Sequence, residues 1–110
     1  MEEPVVSEEC PANVECSIEK ILAILEGKWS FLIIKELFDG IKRFGELRHA
    51  LPGISPKTLA GRLRELEAKQ ILTRKAYPTI PPTVEYELTE KGLSLKPIII
   101  AMKLWGAKWG

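Results

Sequence analysis

The sequence predicts a mainly α domain carrying a small β-ribbon, an α+β arrangement. Three observations predict it. Apolar residues recur at helical spacing through most of the chain from Cys16 onward. Over one short stretch the period drops to two, with Val84, Tyr86 and Leu88 alternating with Glu85 and Glu87. The run YPTIPP (77–82) separates that stretch from a second strand-like segment, and its prolines make a stiff tip that cannot continue a ladder.

Taken in order, residues 1–15 hold prolines, glutamates and few apolar side chains, which predicts a flexible acidic arm ahead of a domain spanning 16–110. Ile18, Ile21, Leu22 and Leu25 follow helical spacing, and Gly27 can close that first helix. The segment from Trp29 to Phe38 is apolar on nearly every side, as befits a helix at the centre of a core, and Gly40 ends it. Phe44, Leu47 and Leu51 mark a short third helix that starts at Lys42 and Arg43 and is broken by Pro52-Gly53. Ser55-Pro56 is a strong helix start, a capping hydroxyl followed by proline at the first helical position, and the fourth helix runs to about Lys69. Strands are expected at 71–77 and 84–88, and Thr89 can cap a last helix that Pro97 either bends or divides.

At 110 residues the chain is one domain with room for a real core. Its acidic start lacks the basic, then apolar, pattern of a signal peptide, and Lys96 and Lys103 interrupt the longest apolar stretch, so a cytoplasmic location is expected. Two cysteines, Cys10 and Cys16, with one histidine furnish neither a disulfide scaffold nor a metal set, and no cofactor is implied. A catalytic triad, a glycine-rich phosphate loop and a paired acid cluster are all missing, so an enzyme is not expected.

The net charge of +1 is unevenly spread. Residues 1–27 hold one Lys and seven Glu, whereas residues 28–75 hold eleven Lys/Arg against five Asp/Glu. The basic excess therefore coincides with the third and fourth helices. On the fourth, Leu59, Leu63 and Leu66 form an apolar stripe, while Lys57, Thr58, Gly61 and Arg64 lie opposite. A helix packed by one face and offering short and basic side chains on the other suits a DNA major groove. Two helices joined by a tight turn and followed by a ribbon with a stiff tip make a winged helix-turn-helix. In it, Ser55, Lys57 and Thr58 stand at the helix start, where side chains and amides reach bases and phosphates, and Gly61 permits close approach. Lys42 and Arg43 would hold phosphates, and Arg74 and Lys75 would reach backbone or minor groove beside the wing. Arg62 lies nearer the packed stripe, where a Glu could pair with it. His49, next to Arg48, is either a phosphate contact or an idle surface residue.

The last helix is too apolar to stand alone. Leu93, Ile100 and Leu104 share one side, and Leu95, Ile98, Ile99, Met102, Trp105 and Trp109 cover much of the rest. Only one side can face its own core, and a symmetric interface in a homodimer is the simplest cover for the other, with Ile99, Met102, Trp105 and Trp109 as its residues.

The blocks GKWSFLIIKEL (27–37), RFGELRHALPGISPKTLAGRLRELEAKQIL (43–72), YPTIPPTVEYELTEKG (77–92) and the closing LWGAKWG, in this order and spacing, resemble the HxlR family of winged helix-turn-helix transcriptional regulators, relatives of the MarR type. The resemblance covers nearly everything from Cys16 on. It implies a homodimeric regulator of double-stranded DNA, with a palindromic operator and with the first and last helices, Ile18 and Leu22 included, forming the dimer. Several members of that family resemble thiol switches whose sensing cysteine lies eleven residues ahead of the glycine of the GKW block. Cys16 stands there relative to Gly27, but Ser17 follows it where the family often has proline, and proline follows Cys10 instead. The assignment stays open between the two. A thiol at a helix start gains thiolate character from the dipole, while the acidic arm opposes it. A winged-helix module for protein contacts is the other reading; the two part on whether the chain binds DNA.

Overall fold

The second helix takes the centre of the molecule because its composition leaves it no solvent side. The computed structural model describes residues 18–25 and 27–110; the arm, Cys10 and Cys16 lie outside them. Helix α1 spans Ile18–Ile24 and α2 spans Gly27–Leu37. Ile33, Ile34 and Leu37 of α2 are buried, with Phe31, Leu32 and Phe38 packed around them. Strand β1 is Lys42–Arg43, α3 is Phe44–Ala50 and α4 is Pro56–Ala68. Strands β2 (Leu72–Tyr77) and β3 (Thr83–Leu88) form the ribbon, followed by α5 (Glu90–Leu93) and α6 (Lys96–Trp109).

The α3–α4 unit is set by local chemistry. The Glu46 carboxylate accepts the Arg43 amide at 2.8 Å and holds the start of α3. Gly53 takes the positive φ of the turn, +93°. The Ser55 hydroxyl accepts the Thr58 amide at 3.0 Å, and Pro56 opens α4. Leu59, Leu63 and Leu66 then fall on one stripe and are all buried against the core. The two ends of neighbouring helices are tied by lysines. Lys69 donates to the Ala23 carbonyl in the last turn of α1 at 2.7 Å, and Lys91 donates to the Lys69 carbonyl behind α4 at 2.9 Å.

The sheet is antiparallel in the order β1-β3-β2. Lys42 and Arg43, expected to start the third helix, instead form β1 and pair with Tyr86 and Glu85. Arg43 has the extended backbone of a cap residue, φ −86° and ψ 161°, which lets its amide meet Glu46 before the helix begins. Leu72 pairs with Leu88 and Arg74 with Tyr86, so Leu72, Leu88 and Tyr86 face the core.

Of the two outcomes expected at Pro97, a bend or a joint, the structure has the joint, and the last helix is divided into α5 and α6. Thr89 caps α5, accepting the Gly92 amide at 3.1 Å, and the chain turns at Ser94 and Leu95 before Pro97 enters the first turn of α6. Proline marks a joint here, as its fixed φ suits a helix start. Leu95 and Ile99 anchor α6 to the core. Every residue of α6 after Ile99 is exposed, so this helix runs out from the body of the molecule, which is 54 Å long and 32 by 27 Å across.

Candidate nucleic-acid interface

The exposed side of α4 is built by what its leucines bury. With Leu59, Leu63 and Leu66 fixed inward, Lys57 and Arg64 stand in solvent and Gly61 lies half-buried between them. The Arg64 guanidinium lies beside Gly61, 4.0 Å from where a Cβ on that glycine would be, an ordinary contact distance.

Ser55 and Thr58 stand at the start of α4, where they engage each other. Beyond capping, the Ser55 hydroxyl donates to Thr58 Oγ1 at 2.9 Å. The pair is closed on itself, which leaves the Thr58 proton as the donor that can reach outward. Arg62 turns away from this row. It pairs with Glu65 at 3.2 Å and lies 3.8 Å from the Cβ position of Gly27, at the junction of α1 and α2. The four flanking basic residues divide by sheet face, because directly opposed residues of an antiparallel pair share a face. Lys42 and Arg74 both stand opposite Tyr86, on the face turned to α4. Arg74 joins Arg64 in lining a cleft between α4 and the ribbon, with Glu67 between them. Arg43 and Lys75 stand opposite Glu85 on the outer face, and Arg43 approaches that carboxylate at 4.0 Å. Glu85 thus offsets part of the outer pair, and Glu67 shares the inner cleft with Arg64 and Arg74. His49 and Arg48 are exposed on α3.

Ile18 and Leu22 are exposed on α1, as are Met102, Trp105 and Trp109 on α6. Ile99, expected at an interface between copies, is 2% exposed and belongs to the protomer's own core. Its neighbours Ile98 and Ile100, with Leu93 and Leu104, are the side chains left in solvent. Lys69 and Lys91, which tie α1, α4 and α5 together, were not singled out by the sequence, since an exposed lysine carries no signal of the carbonyl it will meet. Among the described residues no group of three His, Cys, Asp or Glu side chains could hold a metal, and no helix is long and apolar enough to cross a membrane.

The same arrangement recurs in known proteins. The family model described as HxlR-like helix-turn-helix matches residues 24–110. The HTH-type transcriptional regulator sll1512 of Synechocystis is 49% identical over 94 residues, covering 86% of this chain and 70% of that protein. YdeP of Bacillus subtilis, also an HTH-type transcriptional regulator, is 45% identical over 94 residues, 86% of this chain and 73% of its own. The redox regulator HypR in its oxidised form superposes with a TM-score of 0.78 at 44% identity, covering 84% of this chain and 96% of that one. The reduced form of YodB from B. subtilis gives 0.78 at 40% identity, covering 86% and 92%. With its leucine-backed α4, its ribbon and a family match running to its last residue, the chain belongs to the HxlR-like helix-turn-helix family of DNA-binding transcriptional regulators.

Proposed function

We propose that this protein is a sequence-specific regulator that binds a palindromic operator in double-stranded DNA as a homodimer. The observation that carries the reading is the row Lys57, Gly61, Arg64 on the solvent side of a helix whose other side is locked by three buried leucines. Such a helix presents side chains to base edges without moving its backbone. Thr58 and the α4 amides supply phosphate or base contacts, and Lys42 and Arg74 extend the charge along the inner face of the ribbon. The exposed apolar side chains of α1 and α6 support a dimer, because a patch containing Trp105 and Trp109 is costly to leave in water and a two-fold axis lets it cover its own copy. A cytoplasmic location is part of this proposal; among the described residues no helix is long and apolar enough to cross a membrane.

Responsiveness to oxidants or electrophiles through Cys16, with Cys10 as a resolving partner, is the finer part of the proposal. The likeness to HypR and YodB, the former a redox regulator and the latter known in diamide-treated and quinone-bound forms, supports it. The test is a mobility-shift assay on DNA selected by the full chain from a random library. Binding should weaken in Lys57→Ala and Arg64→Ala and fall with rising salt. If the chain enriches no sequence, the reading as a protein-contact module replaces this one. Diamide treatment of wild type, Cys10→Ser and Cys16→Ser tests the thiols. Unchanged DNA binding with Cys16 shown to be modified would end that part.

A further inference from the structure

Two exposed large apolar side chains, Ile41 and Ile80, belong neither to the core nor to the α1–α6 patch, and Ile80 is the more exposed. Ile80, at the tip of the ribbon, is 101% exposed. It is flanked by Pro78, Thr79, Pro81 and Pro82, all exposed. From Ala76 to Val84 the chain carries no charged residue. The tip is nevertheless well fixed. Thr79 Oγ1 donates to the Pro81 carbonyl at 2.8 Å and meets Thr83 Oγ1 at 2.9 Å, closing the loop beneath the isoleucine. Ile80 and its flanking prolines make an apolar point far smaller than the roughly 800 Å² per partner of a stable protein interface.

We infer that Ile80 is a minor-groove wedge: in the operator complex it enters the minor groove flanking each half-site and unstacks one base step. The inference deepens the DNA-binding reading and rests on it. Apolar side chains at rigid tips, isoleucine and proline among them, open base steps in this way and kink the duplex. The reach fits. Arg74 and Arg64 line one cleft, which puts the base of the ribbon beside α4. Ile80 lies six residues beyond it, at most about 20 Å away at strand rise. Adjacent major and minor grooves are separated by half a helical turn, about 17 Å. The charge fits as well. The tip itself has no carboxylate to repel phosphate, and Arg74 and Lys75 stand on the strand behind it. A wedge of this kind selects deformable flanks, so pyrimidine–purine steps should be enriched at one position outside each major-groove contact.

The experiment uses the full chain and DNA it has itself selected, with 2-aminopurine placed at successive flank positions. Wild type should raise the fluorescence at one step on each side and bend the duplex in a circular-permutation gel. Ile80→Ser, a change at a fully exposed position, should abolish both signals and weaken binding about tenfold, while keeping the same base preference at the positions read by α4. Ile80→Leu should restore the fluorescence. If Ile80→Ser gives the same fluorescence and bend as wild type, the wedge is wrong and DNA binding stands. If wild type selects no DNA, both readings fall together.

Discussion

Two glycines lack side chains for opposite reasons. At Gly92 a Cβ would lie 2.2 Å from the Ile71 carbonyl oxygen. That oxygen cannot withdraw, because it already accepts the Thr89 amide at 3.0 Å and the Thr89 hydroxyl at 3.1 Å. Gly92→Ala should therefore destabilise the fold by about 2 kcal/mol or more, read as a lower urea midpoint. At Gly61 only the mobile end of Arg64 would be met. Gly61→Ala should raise the urea midpoint, by up to about 1 kcal/mol of helix propensity, and yet weaken DNA binding, because the added methyl keeps the backbone from the groove. A loss of both, or of neither, would contradict a packing-free role for this glycine. In the proposed reading Lys57 and Arg64 read DNA, while Ser55 holds Thr58 and the helix start. Ser55→Ala should accordingly cost about 1 kcal/mol of stability, seen in the same melts.

At the scale of elements, what could be read in the sequence was what local chemistry decides. Ser55-Pro56, the Leu59-Leu63-Leu66 stripe and the alternation at 84–88 each act within a few residues, and the structure has α4 and β3 there. Strand β1 could not be read, because two residues carry no period and their partners, Tyr86 and Glu85, are some forty positions away. For the same reason the division of Lys42 from Arg43 and of Arg74 from Lys75 was invisible: it depends on the register with β3. The apolar run Ile98-Ile99-Ile100 has no period either, so its core-facing member was undetermined until Leu95 and Ile99 were seen anchoring α6. Two variants test this placement. Leu63→Ala should cost about 2–5 kcal/mol, as the loss of a fully packed leucine does, without altering which DNA sequence is preferred. Ile99→Asp should unfold the protomer, since a charge there is buried without a partner.

The whole molecule is a small body from which an apolar helix projects. Seven large apolar side chains of α5 and α6, from Leu93 through Trp109, together with Ile18 and Leu22 of α1, share the exposed surface with lysines. In the proposed dimer, Trp105→Asp would dissociate the copies while leaving the core intact, because Trp105 is exposed in the protomer and Ile99 is not. Sedimentation should show a dimer for wild type and a folded monomer for Trp105→Asp. A wild-type chain that stays monomeric at micromolar concentration would contradict the two-fold reading. The measurement that bears most directly on the central claim is a titration of wild type, Lys57→Ala and Arg64→Ala against a duplex selected by the full chain, followed by fluorescence anisotropy over a range of salt. Two chains per duplex are expected, with half-sites about one helical turn apart. Each substitution should cost roughly 1–3 kcal/mol where it reads a base edge, or weaken all sequences alike and flatten the salt dependence where it meets phosphate. Unchanged affinity in both variants would mean that α4 is not the surface that reads DNA.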